Sequence, residues 1–216
     1  MPNKPLKPLP PLRMGILASG EGQTLQALLD AIAAGRLMAE VVMVVSNNAD
    51  AGALRRAQAA GIATLHLSAV THPDAVALDA ALTQTLQDAG AEIVVTTGYM
   101  KRLGPQVMAA FARRMINVHP SLLPKYGGQG MYDRHVHAAV LAANELESGC
   151  SVHYVEGDYD TGPVIAQARV PVLIGDTVDS LAERVKQRER LLLVDVLQER
   201  ALEGGFGVGF DEAENA

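Results

Sequence analysis

Between residues 14 and 118, short β-branched runs alternate with longer Ala- and Leu-rich stretches, and this rhythm limits the fold more than any other feature of the chain. A β-branched run bounded by turn residues suits a strand, and apolar spacing of about 3.6 suits a helix packed on the sheet. Parallel neighbours need a crossover connection, so strict alternation points to a parallel sheet with helices on its faces. The expected strands are 14–18, 41–46, 63–67, 92–97 and 115–118, with helices at 24–34, 51–60, 73–87 and 105–113. The expected class is therefore α/β, with a mostly parallel central sheet flanked by helices on both faces.

After residue 118 the rhythm changes. A Gly-rich loop at 126–132 and a helix at 135–143 come first, then sheet extensions at 151–155 and 164–170 and a long closing helix at 177–202. The final GGFGVGFDEAENA is expected to add an edge strand before an acidic tail. With 216 residues, 49% of them apolar, the chain can bury one sizeable core but not two. Residues 1–12, with five of the eleven prolines, read as an extended leader, 13–203 as the domain and 204–216 as a tail.

Composition excludes several classes of function. The net charge of −6 is spread along the chain without a Lys/Arg run, so nucleic acid is not expected as a partner. Cys150 is the only cysteine, which leaves no internal disulfide or thiolate cluster and fits a reducing cytoplasm; it reads as a small buried hydrophobe. No segment approaches the roughly 20 apolar residues of a membrane span. Small-molecule chemistry is the expectation, in a monomer or homodimer.

Three motifs carry chemistry. Ser19-Gly20-Glu21-Gly22-Gln23-Thr24 sits where a strand ends and a helix begins, so its backbone N–H groups can converge on an anion; as a bare G-x-G it also suits a plain turn. Asn117 and His119 stand two apart as a strand leaves the sheet, on one side of an extended backbone, and Pro120 and Pro124 stiffen the exit. Asp158-Tyr159-Asp160-Thr161-Gly162-Pro163 is a turn whose acid can serve as partner to His119, fixing its tautomer and favouring its charged form. His135, His137 and His153 invite comparison with a metal cluster, but on a helix the first two diverge by roughly 200°, and no H-E-x-x-H spacing exists. His153 alternates with apolar neighbours and reads as ligand wall or core. Arg184, Arg188 and Arg190 read as a solvated helix face.

In the order S-G-x-G, I-N-x-H-P-S-L-L-P-K-Y and S-V-H-Y…D-x-G-P-V-I-x-Q, the chain resembles the phosphoribosylglycinamide formyltransferase family from about Arg13 to Leu202. The resemblance implies a Rossmann-like formyltransferase fold and transfer of formyl from 10-formyltetrahydrofolate, as co-substrate, to a phosphoribosylglycinamide amine without a metal. It implies Asn117, His119 and Asp160 as the catalytic trio, and Gly22, Gln23, Thr24, Lys186 and Glu189 toward the ribonucleotide. Met100, Lys101, Arg102 and Leu103 match the folate-binding segment, as do Asn117 and the loop Gly157, Asp158, Tyr159 and Asp160.

There are departures. Glu21 stands where the family commonly has Asn, adding negative charge beside an anion site; Ala75 stands near an Arg that some members turn toward the folate tail; and GGQGMYDRHVH (127–137) is longer than in the shortest members. A methionyl-tRNA formyltransferase would need a further domain and a basic surface, and a formyltetrahydrofolate hydrolase usually brings a longer N-terminal domain. A sugar-nucleotide formyltransferase and a non-catalytic folate- or nucleotide-binding module are the remaining alternatives; the module would not need all of Asn117, His119 and Asp160.

Overall fold

The computed structural model describes residues 9–204; residues 1–8 and the segment 205–216, with the edge strand expected there, lie outside the described residues. The elements run β1 (Leu12–Leu17), α1 (Gln23–Ala33), β2 (Ala39–Ser46), α2 (Gly52–Ala59), β3 (Thr64–His66), α3 (Ala75–Asp88), β4 (Ile93–Thr96), α4 (Pro105–Ala110), β5 (Met115–His119), α5 (Arg134–Ala142), β6 (Glu147–Tyr154), β7 (Val164–Pro171) and α6 (Val178–Leu202). They form one seven-stranded sheet of order β3-β2-β1-β4-β5-β6-β7. The first five strands pair in parallel, whereas β6 and β7 are antiparallel to their neighbours.

Why the strands read as continuous apolar runs is visible in the core. Successive side chains point to opposite faces of a sheet. Ile16, Val44, Ile93, Val95 and Ile116 therefore pack in one cluster with α1, α2, α5 and α6. Leu17, Val45, Val94 and Met115 pack in another with Leu82 and Leu86 of α3 and Val107 of α4. Both faces are covered, as a parallel sheet requires.

Most boundaries shift by one or two residues from the expected ones, and three departures bear on the fold. β6 begins at Glu147 rather than 151, because Glu147, Ser148, Gly149 and Cys150 pair across to Pro171, Val170, Arg169 and Ala168. Those four residues carry no β-branched side chain, so tertiary pairing rather than propensity makes them a strand. α4 stops at Ala110 rather than 113: Arg114 donates back to the Ala110 carbonyl at 2.6 Å, and Arg113 takes a left-handed φ of 56°. β1 already includes Leu12, which the sequence reading assigned to the leader.

α6 closes the core. Thr177 and Ser180 cap its start reciprocally, and Arg184 clamps the buried carboxylate of Asp176 at 2.7 and 2.9 Å. Leu181, Val185, Leu193 and Leu197 are buried along one side of the helix. Truncating one of them removes contacts that the rigid sheet cannot refill. Leu193→Ala is expected to lower unfolding free energy by about 2–5 kcal/mol, read by urea titration; a change within error would mean that α6 does not close the core.

Candidate active site

Strand order reverses direction between β1 and β4, and open α/β sheets bind ligands at the carboxyl ends of strands flanking such a point. A cavity of about 990 Å³ lies here. Every residue that the family resemblance assigned to catalysis or ligand binding lines it: Gly22, Gln23 and Thr24 after β1, Met100–Leu103 after β4, Asn117 and His119 on β5, Gly157–Asp160 between β6 and β7, and Lys186 and Glu189 on α6. Shared lining does not make them one cluster. His119 and Asp160 touch, Asn117 reaches them through another side chain, and the two loops are joined by a serine.

His119 is buried, with Nδ1 3.3 Å from Asp160 Oδ2 and Nε2 2.8 Å from the Tyr126 carbonyl. Both ring nitrogens thus face acceptors, which suits the imidazolium. Burial opposes that charge and is the larger effect, so the His119 pKa lies below its ordinary value despite the pull of Asp160 and of the Tyr126 carbonyl. For Asp160, burial works against the charge. It is outweighed by the nearby His153 and His119 rings and the Gly128 N–H at 3.0 Å, and the carboxyl is held below its usual range.

Asp160 has a φ of 56°, a conformation that side chains rarely adopt, so the loop is held by what surrounds it. Gly162 meets one requirement: a Cβ there would lie 2.0 Å from the Tyr154 carbonyl oxygen. On the other side, the loop after His119 is pinned from several directions. Ser121 donates to the Lys125 carbonyl, Ser151 accepts from Leu123 N, Gln167 donates to the Leu123 carbonyl, and Lys125 and Tyr126 both bind Glu145.

His153 enters this group without having been singled out as chemical. It faces Asn117 across the β5–β6 ladder, and its Nδ1–H donates to its neighbour's carbonyl, Tyr154, at 2.9 Å. In the neutral ring Nε2 is then the lone-pair atom; Asn117 Nδ2 donates to it at 3.1 Å, and Asp160 Oδ1 stands 3.5 Å away. Thr96 donates to Asn117 Oδ1 at 2.7 Å, which orients the amide. A polar chain from Thr96 through Asn117, His153 and Asp160 to His119 results.

The anion loop is stabilised from below. Gly22, at φ 71°, lies against Ala53, whose N–H donates to the Gly20 carbonyl at 3.1 Å; a Cβ on Gly22 would sit 2.6 Å from Ala53 Cα. Glu21 also lines the cavity, while its Oε2 packs over Gly52 at the start of α2 and lies 3.7 Å from Arg55. Its charge is therefore met by a cation and by a helix N-terminus. Ser19 donates to Asn47 and accepts from Met100 N at 2.8 Å, joining the anion loop to the 100–103 segment.

On α6, Lys186 pairs at 2.8 Å with Asp133 from the 127–137 insert, and burial pushes the Glu189 carboxyl up to about 8, against the charges of Lys186 and Arg190. The reading of Arg184 and Arg190 as a solvated face is corrected here. Arg184 clamps Asp176, and Arg190 lines the cavity and donates to Gln23 Oε1 at 3.0 Å. Their identity as arginines was visible in the sequence, but the partners lie 8 residues from Arg184 and 167 residues from Arg190.

No group of three or more His, Cys, Asp or Glu able to hold a metal ion occurs among the described residues. His135 stacks edge-on against Tyr132, and His137 is buried with both ring nitrogens lacking a hydrogen-bond partner among the described residues. Cys150 is buried and its thiol is pushed up to about 12, as suits a packing residue. No helix among the described residues is long and apolar enough to cross a membrane.

Residues 12–197 match the family described as formyl transferase. The chain is 41% identical over 177 residues to the phosphoribosylglycinamide formyltransferase of Escherichia coli K12, covering 82% of this chain and 81% of that one. It is 42% identical over 182 residues to the trifunctional purine biosynthetic protein adenosine-3 of Drosophila pseudoobscura, covering 83% of this chain but spanning only 13% of that protein. Among solved structures, glycinamide ribonucleotide transformylase 1 of Symbiobacterium toebii superposes with a TM-score of 0.83 at 38% identity, covering 89% of each chain.

Asp160→Asn removes the negative charge that favours protonated His119, so the His119 pKa is expected to fall further below its ordinary value. Ring-proton NMR titration of both proteins reads this; an unchanged or raised value would contradict the assigned contact.

Proposed function

The chain belongs to the formyl transferase family, and on that premise we propose that it moves the formyl group of 10-formyltetrahydrofolate to the amine of 5'-phosphoribosylglycinamide, yielding the N-formyl ribonucleotide and tetrahydrofolate for purine biosynthesis. The observation that carries the reading is that one cavity is lined by a helix N-terminus with cations beside it and by the buried His119–Asp160 pair. The first suits a phosphorylated acceptor and the second suits acyl transfer.

In this reading the neutral amine nitrogen attacks the formyl carbon, the C=O electron pair moves to oxygen, and a tetrahedral adduct forms. Breaking the bond from carbon to the folate nitrogen then releases tetrahydrofolate, and a proton passes from the former amine to that nitrogen. Asn117 Nδ2 carries two hydrogens, of which His153 accepts one; the second is the donor assigned to the developing oxyanion. His119 supplies the other donor from Nε2, and the substrate oxygen must win that proton from the Tyr126 carbonyl. Asp160, held ionised, accepts the amine proton through water and shares it with His119 or His153. Met100–Leu103 and Gly157–Asp160 are assigned to the folate, and Gly22–Thr24, Lys186 and Glu189 to the ribonucleotide. No metal takes part in any of these steps.

The test follows folate absorbance with and without the ribonucleotide. Turnover is expected only when the amine is present, and His119→Ala is expected to lower kcat by about 10²–10⁴-fold. Turnover without the amine would instead mark a hydrolase, and ligand binding with no turnover would mark a non-catalytic module.

A further inference from the structure

We propose that Arg190 is a direct ligand of the acceptor's phosphate monoester, its guanidinium facing the dianion together with the first turn of α1. The inference rests on the reading that the acceptor is a ribonucleotide, and it names a residue to which neither the sequence patterns nor the family resemblance assigns a role.

Five observations converge on it. α1 is eleven residues long, begins after Gly22 with no side-chain cap and carries no acid in its first turn, so its leading N–H groups and partial positive charge are unanswered among the described residues. Arg190 is half-buried in the cavity wall and is held over that turn by its bond to Gln23 Oε1. None of the ion pairs among the described residues includes Arg190, whereas Arg184 is clamped by Asp176 and Lys186 by Asp133. Glu21, the acid within the loop, faces Arg55 instead. The adjacent Glu189, pushed up to about 8, gives little counter-charge at neutral pH.

Position and chemistry agree. Arg190 follows Lys186 by four residues and so presents on the same side of α6. A planar guanidinium offers paired N–H donors that match phosphate oxygens, and such charge-assisted bonds are stronger than neutral ones. Gln23 acts as a placeholder acceptor, orienting the guanidinium until the phosphate arrives.

The experiment compares intact wild type with Arg190→Ala, Arg190→Lys and, as a control outside the cavity wall, Arg188→Ala. Arg190→Ala is expected to raise KM for the ribonucleotide by about 10- to 100-fold, with a far smaller effect on kcat and none on KM for the formyl-folate. Arg190→Lys should recover part of the loss. With the unphosphorylated ribonucleoside as acceptor, wild type and Arg190→Ala should perform alike. Equal ribonucleotide KM values, or an equal loss with the unphosphorylated acceptor, would overturn the proposal. Calorimetric binding of ribose 5-phosphate separates this from the acceptor's identity. If wild type fails to use the ribonucleotide yet binds this probe at least tenfold more tightly than Arg190→Ala, the phosphate role stands and the acceptor assignment falls. Equal binding by both, or binding by neither, overturns the role of Arg190.

Discussion

One carboxylate holds the site together. Asp160 takes a hydrogen bond from Gly128 N while facing His119 Nδ1 and His153 Nε2, so it joins the Gly-rich loop, the end of β5 and the end of β6. A largely buried ionised group needs such partners, and here they are also the groups expected to handle protons. The left-handed backbone at Asp160 and the close approach of Gly162 to Tyr154 are what the loop requires to bring the carboxylate there. Remove the charge and three segments lose a common partner, which is why effects on chemistry and on loop order are expected to travel together.

The remainder of the cavity is organised around that point by short links between crossover loops. Ser19 ties the β1 loop to the segment after β4, and Thr96 orients Asn117 from the neighbouring strand. Parallel strands end side by side, so loops distant in sequence become neighbours, and one hydroxyl suffices to couple them. The antiparallel pair β6–β7 adds what the parallel half lacks: it carries His153 on the sheet and Asp160 in the turn. In the proposed reaction, acceptor and donor are then bound by different loops while sharing one set of polar groups.

Much of this was legible in the sequence. The apolar, largely β-branched runs of β2, β4 and β5 signalled a sheet buried on both faces, and the two-residue spacing of Asn117 and His119 placed both on one side of a strand. Other parts depended on distant partners. His153 read as ligand wall or core, and it lines the cavity, but its link to Asn117 comes from pairing across the β5–β6 ladder. Glu147 to Cys150 lack strand propensity and are strand only because β7 lies alongside. Glu21 carried a charge whose direction no local pattern reveals; the first turn of α2 settles it. Arg190 and Asp133 likewise take their meaning from Gln23 and Lys186, across helices that meet only in the folded chain.

The central claim is that His119 and Asp160 act as one unit, and a double-mutant cycle on kcat tests it most directly. His119→Gln, Asp160→Asn and the double variant are compared with wild type under saturating donor and acceptor. Groups that act as a unit are strongly non-additive. The account predicts that the double variant is about as slow as the slower single variant. Losses that multiply, as for independent groups, would contradict it.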